Sequence, residues 1–482
     1  MKRIQYNVKM DKNEANTKES NIRRKYGIHL TSKELFKSYI FPEIKYKLAK
    51  YIWVDLFAGE GNLVLPILKS INEEQRIDFF KDHIYLFDVQ EEMVKRCIYN
   101  AVSYGIPEKV AEINILKRDN LLNFPSFLLT KRFPIYHITN PPYLYLGYIK
   151  KHEETKPYFK YFKDENEGYQ DLYQVAMMND LRNAIKNLVY IIPSNFLFGS
   201  SVSNKFRLDF LKYYQILKII VFEFKVFEFT GTNICIGYFY RKENPHQELQ
   251  IFNGTKFKKS NLIVEREYKL HPKFKYRCGS EFNEFIETYR REKPLEVNFY
   301  LKKEEVIRNK GDIKLVVIDA NEYNNNDYER TSILVNKDLS TKIKSNFLYI
   351  RTVDTGSDDG KAGLGIIRED FSVDGILVSG NTYRTHPIQI FLTPQLPTFL
   401  LILLKDYVNL LLKFYREKLD SEFMTTYKYS NASYTRKYLG LSQSKGIIQT
   451  FPYNLAKDHQ NKLKRLVLDE KAEKIFEMLR KL

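Results

Sequence analysis

Cysteine is scarce in this chain. Cys97, Cys235 and Cys278 are its three cysteines in 482 residues, and they lie far apart. They form no C-x-x-C pair, and with eight scattered histidines they offer no zinc-ligand spacing, so neither a disulfide framework nor a metal site is expected. Thiol scarcity of this kind fits a reducing compartment. The basic N-terminus lacks the apolar core of a secretion signal. The most apolar run, Phe399 to Leu404, is stopped by Lys405 and Asp406 and is too short to span a bilayer. These absences predict a soluble, cytoplasmic protein. No internal repeat is visible.

What is present in excess is positive charge. Lys and Arg number 77 against 59 Asp and Glu, a formal net charge of +18 that points to a polyanionic partner. A surface that is simply Lys-rich would give the same number. The length suggests two or more domains, and 44% hydrophobic residues supply ample core. With 36 Tyr and 34 Phe, most aromatic rings must be buried and few are left as stacking platforms.

The most informative stretch is Thr139-Asn140-Pro141-Pro142-Tyr143. It follows the apolar run from Phe133 to Ile138, which reads as a short buried strand. Two prolines then forbid ladder pairing and an immediate helix, so Asn140 is held at the strand's carboxyl end, where open α/β sheets bind ligands. The Asn140 amide oxygen and the Pro141 carbonyl are acceptors, and Tyr143 supplies an aromatic face. An exocyclic amino group on a flat ring needs such a pair. Its lone pair is delocalised into the ring, and two acceptors on its two hydrogens pull the nitrogen toward tetrahedral geometry. A Pro-Pro turn with Asn140 as its cap would have the same sequence.

Upstream, Thr31 or Ser32 is a good N-cap for an amphipathic helix carrying Glu34 in its first turn. Tyr51 to Pro66 reads as a buried strand ending at Asp55, a tight turn through Gly59 and Gly61, and a helix. The third glycine of a dinucleotide fingerprint is missing and no P-loop is present. A strand-end acid before G-x-G suits a cationic or hydroxyl-rich ligand better than a pyrophosphate. Ile84 to Phe87 forms a second strand ending at Asp88, a position suited to ribose hydroxyls or to capping the helix that begins near Gln90. A third strand around Ile113–Ile115 leads to Asp119, an acceptor for an adenine amino group or a turn residue. Asp171-Leu172-Tyr173 opens a helix, and strands follow at 188–192, 216–221 and 234–240. Strands alternating with helices predict a doubly wound α/β sheet.

Asp55-x-Phe57-x-Gly59-x-Gly61 followed by Asn140-Pro141-Pro142-Tyr143 resembles the amino-group DNA methyltransferases of restriction–modification systems, in the gamma order of segments. The resemblance covers roughly Lys25 to Arg241. It implies a Rossmann-like S-adenosyl-L-methionine methyltransferase sheet acting on N6 of a flipped-out adenine in double-stranded DNA. It implies cofactor contacts by Gly27, Thr31, Asp55, Phe57, Gly59, Gly61, Asp88, Asp119 and Asn140, with Ser32 replacing a usual Pro and Arg118 a usual Gly. It implies catalytic roles for Asn140, Pro141 and Tyr143, and base packing by Phe227 of the Val226-Phe227 pair; Phe224 and Phe229 lie close by. The same core also serves N4-cytosine, ribosomal RNA and protein-glutamine methyltransferases, and a non-catalytic DNA-specificity subunit is a further reading.

On this reading residues 1–20 are a mobile arm, 21–245 the catalytic domain and 246–482 an α+β target-recognition domain, with Glu243-Asn244-Pro245-His246 as linker. Candidate DNA contacts are Arg351 and Lys361 in one polar loop, Arg384 in a second, and Tyr434, Arg436 and Lys437 in a basic, aromatic stretch that also holds Lys428, Tyr429 and Lys445. Leu400 to Tyr415 reads as a packed helix and Asn324 to Asp327 as a turn. Glu267-Tyr268-Lys269 matches a nuclease Glu-x-Lys formally but has no clear partner acid. A monomeric modification enzyme is expected, functionally paired with a separate restriction endonuclease.

Overall fold

A computed structural model describes residues 31–199, 201–227, 233–324, 327–356, 360–382, 386–426 and 435–482. The expected arm, Gly27, Arg384, Tyr434, Lys428, Tyr429 and Phe229 lie outside these residues. The chain divides into two compact units, Met1–Tyr276 and Arg277–Leu482.

The first unit is built on one nine-stranded sheet. In chain order its strands are β1 (Ile52–Asp55), β2 (Ile84–Asp88), β3 (Ile115–Lys117), β4 (Ile135–Thr139), β5 (Asn187–Pro193), β6 (Tyr214–Phe222), β7 (Ile234–Arg241), β8 (Gln250–Phe257) and β9 (Ile263–Leu270). Their spatial order is β3-β2-β1-β4-β5-β7-β6-β8-β9. The first five are parallel, and β7 runs antiparallel between β5 and β6. Every residue of β1 and β4 is buried, as expected where helices cover both faces of a parallel sheet. Trp53 is fully buried against Tyr136, ring centroids 5.0 Å apart, and its indole N–H donates to the Leu48 carbonyl at 2.9 Å, so no polar atom of the ring is left unpaired.

The helix expected after the glycine turn is present as a 3-10 helix, Leu65–Ser70, with Pro66 in its first turn, where a missing N–H leaves no helical bond unmade. Two local expectations are corrected. The third strand starts at Ile115, because a helix over Glu108–Asn114 claims the two residues before it. Asn114 ends that helix by donating to the Phe80 and Lys81 carbonyls at 3.1 and 3.0 Å. The boundary expected at residue 245 falls instead after Tyr276, since β8 pairs in parallel with β6 and β9 closes the sheet edge. Glu267-Tyr268-Lys269 is part of that edge. Tyr268 is buried and stacked on Phe252, and Glu267 and Lys269 pair with each other at 3.2 Å.

The second unit holds two four-stranded sheets, a three-stranded sheet and the helix Thr398–Leu419, which covers the packed helix read at Leu400 to Tyr415. That helix contributes Leu404, Tyr407, Val408 and Leu411 to the unit's main core. Strands Ile313–Asn324 and Asp327–Val335 form a hairpin with Asn324 opposite Asp327, where the turn was expected. No helix among the described residues is long and apolar enough to cross a membrane.

Gly61 carries the tightest constraint near the strand ends. Its φ is +79°, and a Cβ there would lie 2.6 Å from Leu65 Cδ1 and 2.8 Å from Cys97 Sγ. Gly61→Ala is expected to lower unfolding free energy by about 2–4 kcal/mol, the left-handed backbone and the overpacked floor adding together. Denaturant midpoints of the two proteins measure this, and a change below about 0.5 kcal/mol would mean that the turn is not built this way.

Candidate active site

The strand order reverses at β1. The chain lays β2 and β3 on one side of it and β4 on the other, so the carboxyl ends of β1 and β4 flank a topological switch point. Asp55 ends β1 and Thr139 ends β4. The Thr139 hydroxyl donates to Asp55 Oδ1 at 2.6 Å, and the Phe57 N–H donates to the same oxygen at 3.0 Å. Asp55 is 1% exposed, and this burial pushes its carboxyl up to about 6 despite the two donors.

Asp88, at the end of β2, grips the glycine loop from the side. Its Oδ2 accepts from the Gly59 N–H at 2.9 Å and its Oδ1 from the Gln90 N–H at 2.8 Å. The acid therefore links the loop to the residue that precedes the helix Glu91–Ser103. Gly59 takes φ +53°, which brings its N–H to the carboxylate. Burial pushes the Asp88 carboxyl up from its ordinary value.

Asp119 follows β3. Its Oδ2 accepts from the Tyr161 hydroxyl at 2.8 Å and lies 3.4 Å from Lys160 Nζ. Tyr161 belongs to the 3-10 segment Glu153–Phe162. Its neighbour Asn120 is buried and donates to the Leu56 carbonyl at 2.7 Å.

Asn140 lies just past β4. Its Nδ2 donates to Thr31 Oγ1 at 3.0 Å, and its Oδ1 accepts from the Tyr143 hydroxyl. The same hydroxyl reaches the Ile191 carbonyl of β5 at 2.7 Å. Burial pushes the Tyr143 phenol well up, which keeps it a donor. The segment after it is pinned by Asp171, whose Oδ1 accepts from the Leu144 N–H at 3.0 Å and whose carboxyl desolvation raises to about 7. The N-terminal cap was read as Thr31 or Ser32; Ser32 makes the cap bond, to Leu35 N, which leaves the Thr31 hydroxyl to Asn140.

Around these strand ends lies a cavity of about 360 Å³. Of the residues expected to hold a cofactor, Thr31, Asp55, Phe57, Gly59, Asp88, Asp119 and Asn140 line it, with Pro141 beside Asn140. Gly61 lies outside the lining, beneath the turn. Tyr143 and Phe227 are also outside it. Phe227 is 5% exposed and packs in the sheet's core cluster, with Val226 and Phe224 partly buried against it. The sequence reading missed Asn62, Asn120, Tyr158 and Tyr161, all of which line the cavity. Tyr158 and Tyr161 lie between the Asn140 segment and the next helix in an aromatic run, Tyr158 to Phe162, whose composition was the available signal.

Four acids line the cavity, Asp55, Glu60, Asp88 and Asp119, against one cation, Arg118. The Arg118 guanidinium is committed to the Asn123 and Phe124 carbonyls at 2.9 and 3.3 Å. Asn62 Oδ1 and Asn120 Oδ1 are buried acceptors without a hydrogen-bond partner among the described residues. The site is therefore rich in acceptors and suits a cationic, hydroxyl- and amino-bearing ligand.

In the second unit, Arg351 and Lys361 line one basin of about 710 Å³ together with Lys413 and Arg416. Arg416 is ion-paired with the buried Asp354 at 2.6 Å. Arg436 is exposed. Lys437 departs from its expected role. It is 2% exposed and its ammonium donates to the Asp420 carbonyl at 3.0 Å, so it braces the fold and does not face a phosphate. Lys445 is partly buried in the helix Leu441–Ile448.

Residues 71–227 match the family model described as Eco57I restriction-modification methylase, a stretch that includes Asp88, Asp119 and Asn140-Pro141-Pro142-Tyr143. No curated protein matches the chain. Similar solved structures include the type IIL restriction-modification enzyme MmeI in complex with DNA, at 12% identity, 92% of this chain, 71% of that chain and TM-score 0.49. The type I restriction enzyme EcoKI M protein matches at 13% identity, 47% of this chain, 48% of that chain and TM-score 0.34. A putative class I S-adenosylmethionine-dependent methyltransferase from Listeria monocytogenes matches at 17% identity, 47% of this chain, 66% of that chain and TM-score 0.34. The chain thus spans about half the length of the EcoKI protein.

Asp55 makes the site's electrostatics measurable. Its carboxyl is raised in the folded chain, so folding takes up a proton between about pH 4 and pH 6. The associated stability is present below the unfolded value and lost as pH climbs through the folded one. Asp55→Asn keeps an oxygen for Thr139 and Phe57 but does not titrate. Ligand-free wild type should therefore lose stability relative to this variant by up to about 3 kcal/mol from pH 4 to pH 7. Urea unfolding of both across that range is the check, and parallel profiles would contradict a carboxyl whose burial outweighs its two donors.

Proposed function

We propose that this chain is a site-specific DNA methyltransferase that uses S-adenosylmethionine to methylate the N6 amino group of adenine, as the modification enzyme of a restriction–modification system. The observation that carries the reading is Asn140. Its amide is oriented at the switch point by Thr31 and Tyr143, beside a cavity whose acids leave it ready for a cation. The family match over residues 71–227 supports the restriction–modification setting.

The cavity's residues fit the cofactor. Its volume lies within the usual range for a bound small molecule. Asp88 at the end of β2 suits ribose hydroxyls, Asp119 an adenine amino group, and Asp55 a cationic end. Asn62 Oδ1 and Asn120 Oδ1 are buried acceptors that lack a donor in the protein itself. When bound, S-adenosylmethionine supplies an electrophilic methyl group on a sulfonium centre.

The chain's own work is to prepare the nucleophile. The target adenine is turned out of the stack and received at Asn140, with Tyr143 as the aromatic side chain next to it; Phe227, buried in the sheet's core cluster, is given no part. Asn140 Oδ1 and the Pro141 carbonyl accept the two amino hydrogens. An amide oxygen can accept from more than one donor, so the Tyr143 hydroxyl orients it without excluding the base. Both acceptors are held before the base arrives, which localises the nitrogen lone pair at no cost of reorganisation. Positive charge then develops on the nitrogen next to the Asn140 oxygen, and the surplus proton leaves to water. The second unit supplies DNA recognition, with Arg351, Lys361 and Arg436 as phosphate or base contacts. An RNA or protein acceptor is the rival that methyl incorporation into duplex DNA, ribosomal RNA and protein would separate.

Asn140→Ala should lose nearly all methyl transfer to duplex DNA yet keep DNA affinity, because the lost acceptor acts mainly as the amino group becomes nucleophilic. A variant with more than about a tenth of wild-type turnover, a loss of only ~1.4 kcal/mol, sinks the assignment.

A fragment ending at Tyr276 retains the whole nine-stranded sheet and the cavity. It should bind S-adenosylmethionine but show no sequence preference for DNA at any salt concentration, whereas the full chain should prefer one site at salt levels that abolish random binding. A fragment that still methylates the same context would place specificity in the first unit.

A further inference from the structure

Three loops compose the site: the glycine loop after β1, the Asp119 loop after β3 and the Asn140 segment after β4. The helix Leu172–Arg182 reaches all three through polar side chains that do not line the cavity. At its start, Asp171 holds Leu144 behind the Asn140 segment. Near its end, the Asn179 amide donates to the Asn120 and Leu121 carbonyls at 3.1 and 2.9 Å, fixing the Asp119 loop. Its neighbour Asp180 is fully buried, and Oδ2 lies 2.5 Å from His137 Nδ1 on β4. The same Oδ2 accepts from the Tyr190 hydroxyl at 2.7 Å, while Oδ1 has no partner among the described residues.

His137 completes the connection. Its Nε2 accepts from the backbone N–H of Leu56 at 3.3 Å, the residue between Asp55 and Phe57. Nε2 can accept only when it carries no proton, so the ring proton lies on Nδ1 and is donated to Asp180. The Leu56 carbonyl, in turn, accepts from the Asn120 side chain. The bonds therefore close a ring: Asn179 to Asn120, Asn120 to Leu56, Leu56 to His137, His137 to Asp180, which is adjacent to Asn179. Leu56 is gripped on both sides.

We propose that two bonds of this ring, His137 accepting from the Leu56 N–H and Asn179 donating to the Asn120 carbonyl, set the separation of the glycine loop and the Asp119 loop that the cofactor requires, which makes His137 and Asn179 positioning residues for cofactor binding, while the link to Asp180 serves stability. The inference rests on the S-adenosylmethionine reading of the cavity. It predicts that affinity depends on these two bonds and not on the stability of the network as a whole.

Two histidine replacements separate these. In His137→Gln the side-chain oxygen can still accept from Leu56 N–H while the donor to Asp180 is lost. In His137→Asn the donor to Asp180 is kept and the acceptor for Leu56 is lost. S-adenosylmethionine is titrated calorimetrically into the full-length wild type, both variants and Asn179→Ala, and amide hydrogen exchange of Leu56 is followed in the ligand-free proteins. His137→Asn and Asn179→Ala should each bind about tenfold more weakly, the effect of one or two lost hydrogen bonds, and His137→Asn should exchange the Leu56 amide faster. His137→Gln should stay within about threefold of wild type even where its Tm falls. Asn179 is only partly buried, so its variant carries the test if the histidine variants do not fold. Affinities that are equal in all four proteins, or that follow Tm alone, overturn the inference. Wild type that fails to bind S-adenosylmethionine overturns the function reading, and the inference with it.

Discussion

The hydroxyl of Thr139 donating to Asp55 is the contact on which the site depends. It joins the carboxyl ends of β1 and β4 at the point where the sheet's winding reverses. On one side of that bond the chain leaves for the glycine loop, and on the other for Asn140 and two prolines. The strands are held in register by Ile52 opposite Ile135, Trp53 opposite Tyr136 and Val54 opposite His137. The bond converts that register into a fixed relation between a cofactor-side loop and a substrate-side amide. A residue at 139 without a hydroxyl would leave the buried Asp55 with one donor fewer, on a carboxyl that burial already holds near 6.

The same logic recurs at two more strand ends, where Asp88 holds Gly59 and Gln90 and Asp119 is held by Tyr161, and at the start of the helix Leu172–Arg182, where Asp171 holds Leu144. Asp88 and Asp119 accept from the protein and also line the cavity. The Arg118 guanidinium is directed to the Asn123 and Phe124 carbonyls, while Asp119 and Glu60 have Lys160 and Arg96 beside them at 3.4 Å, so the lining carries more acid than base with two of its acids paired. This is the opposite of a phosphate cradle, in which backbone N–H groups at a helix N-terminus face the ligand. It favours a ligand with positive charge and hydroxyl groups, which is the chemistry the proposed reaction requires.

Much of this was legible before the fold was seen. Continuous apolar runs ending in Asp55, Asp88 and Thr139-Asn140 announced parallel strands with acids and an amide at their carboxyl ends, and the structure puts Asp55, Asp88 and Asn140 around one cavity. What escaped was contact between residues far apart in sequence. His137 read as one more strand residue, and its partners Leu56 and Asp180 lie 81 and 43 positions away. Lys437 read as a free cation because sequence cannot show that Asp420 presents a carbonyl to it. The domain boundary was misplaced because Glu243-Asn244-Pro245-His246 looks like a linker, although the alternating burial of Gln250 to Phe257 continues the sheet beyond it.

The central claim is that Asn140 and its surroundings direct a methyl group to adenine N6 in DNA. Modification-sensitive sequencing of genomic DNA from cells expressing the intact chain, against cells without it, tests this most directly. The account predicts N6-methyladenine at one recurring sequence context, present only where the chain is expressed. Unmodified DNA, or methyl groups on cytosine N4 in place of adenine, would contradict it.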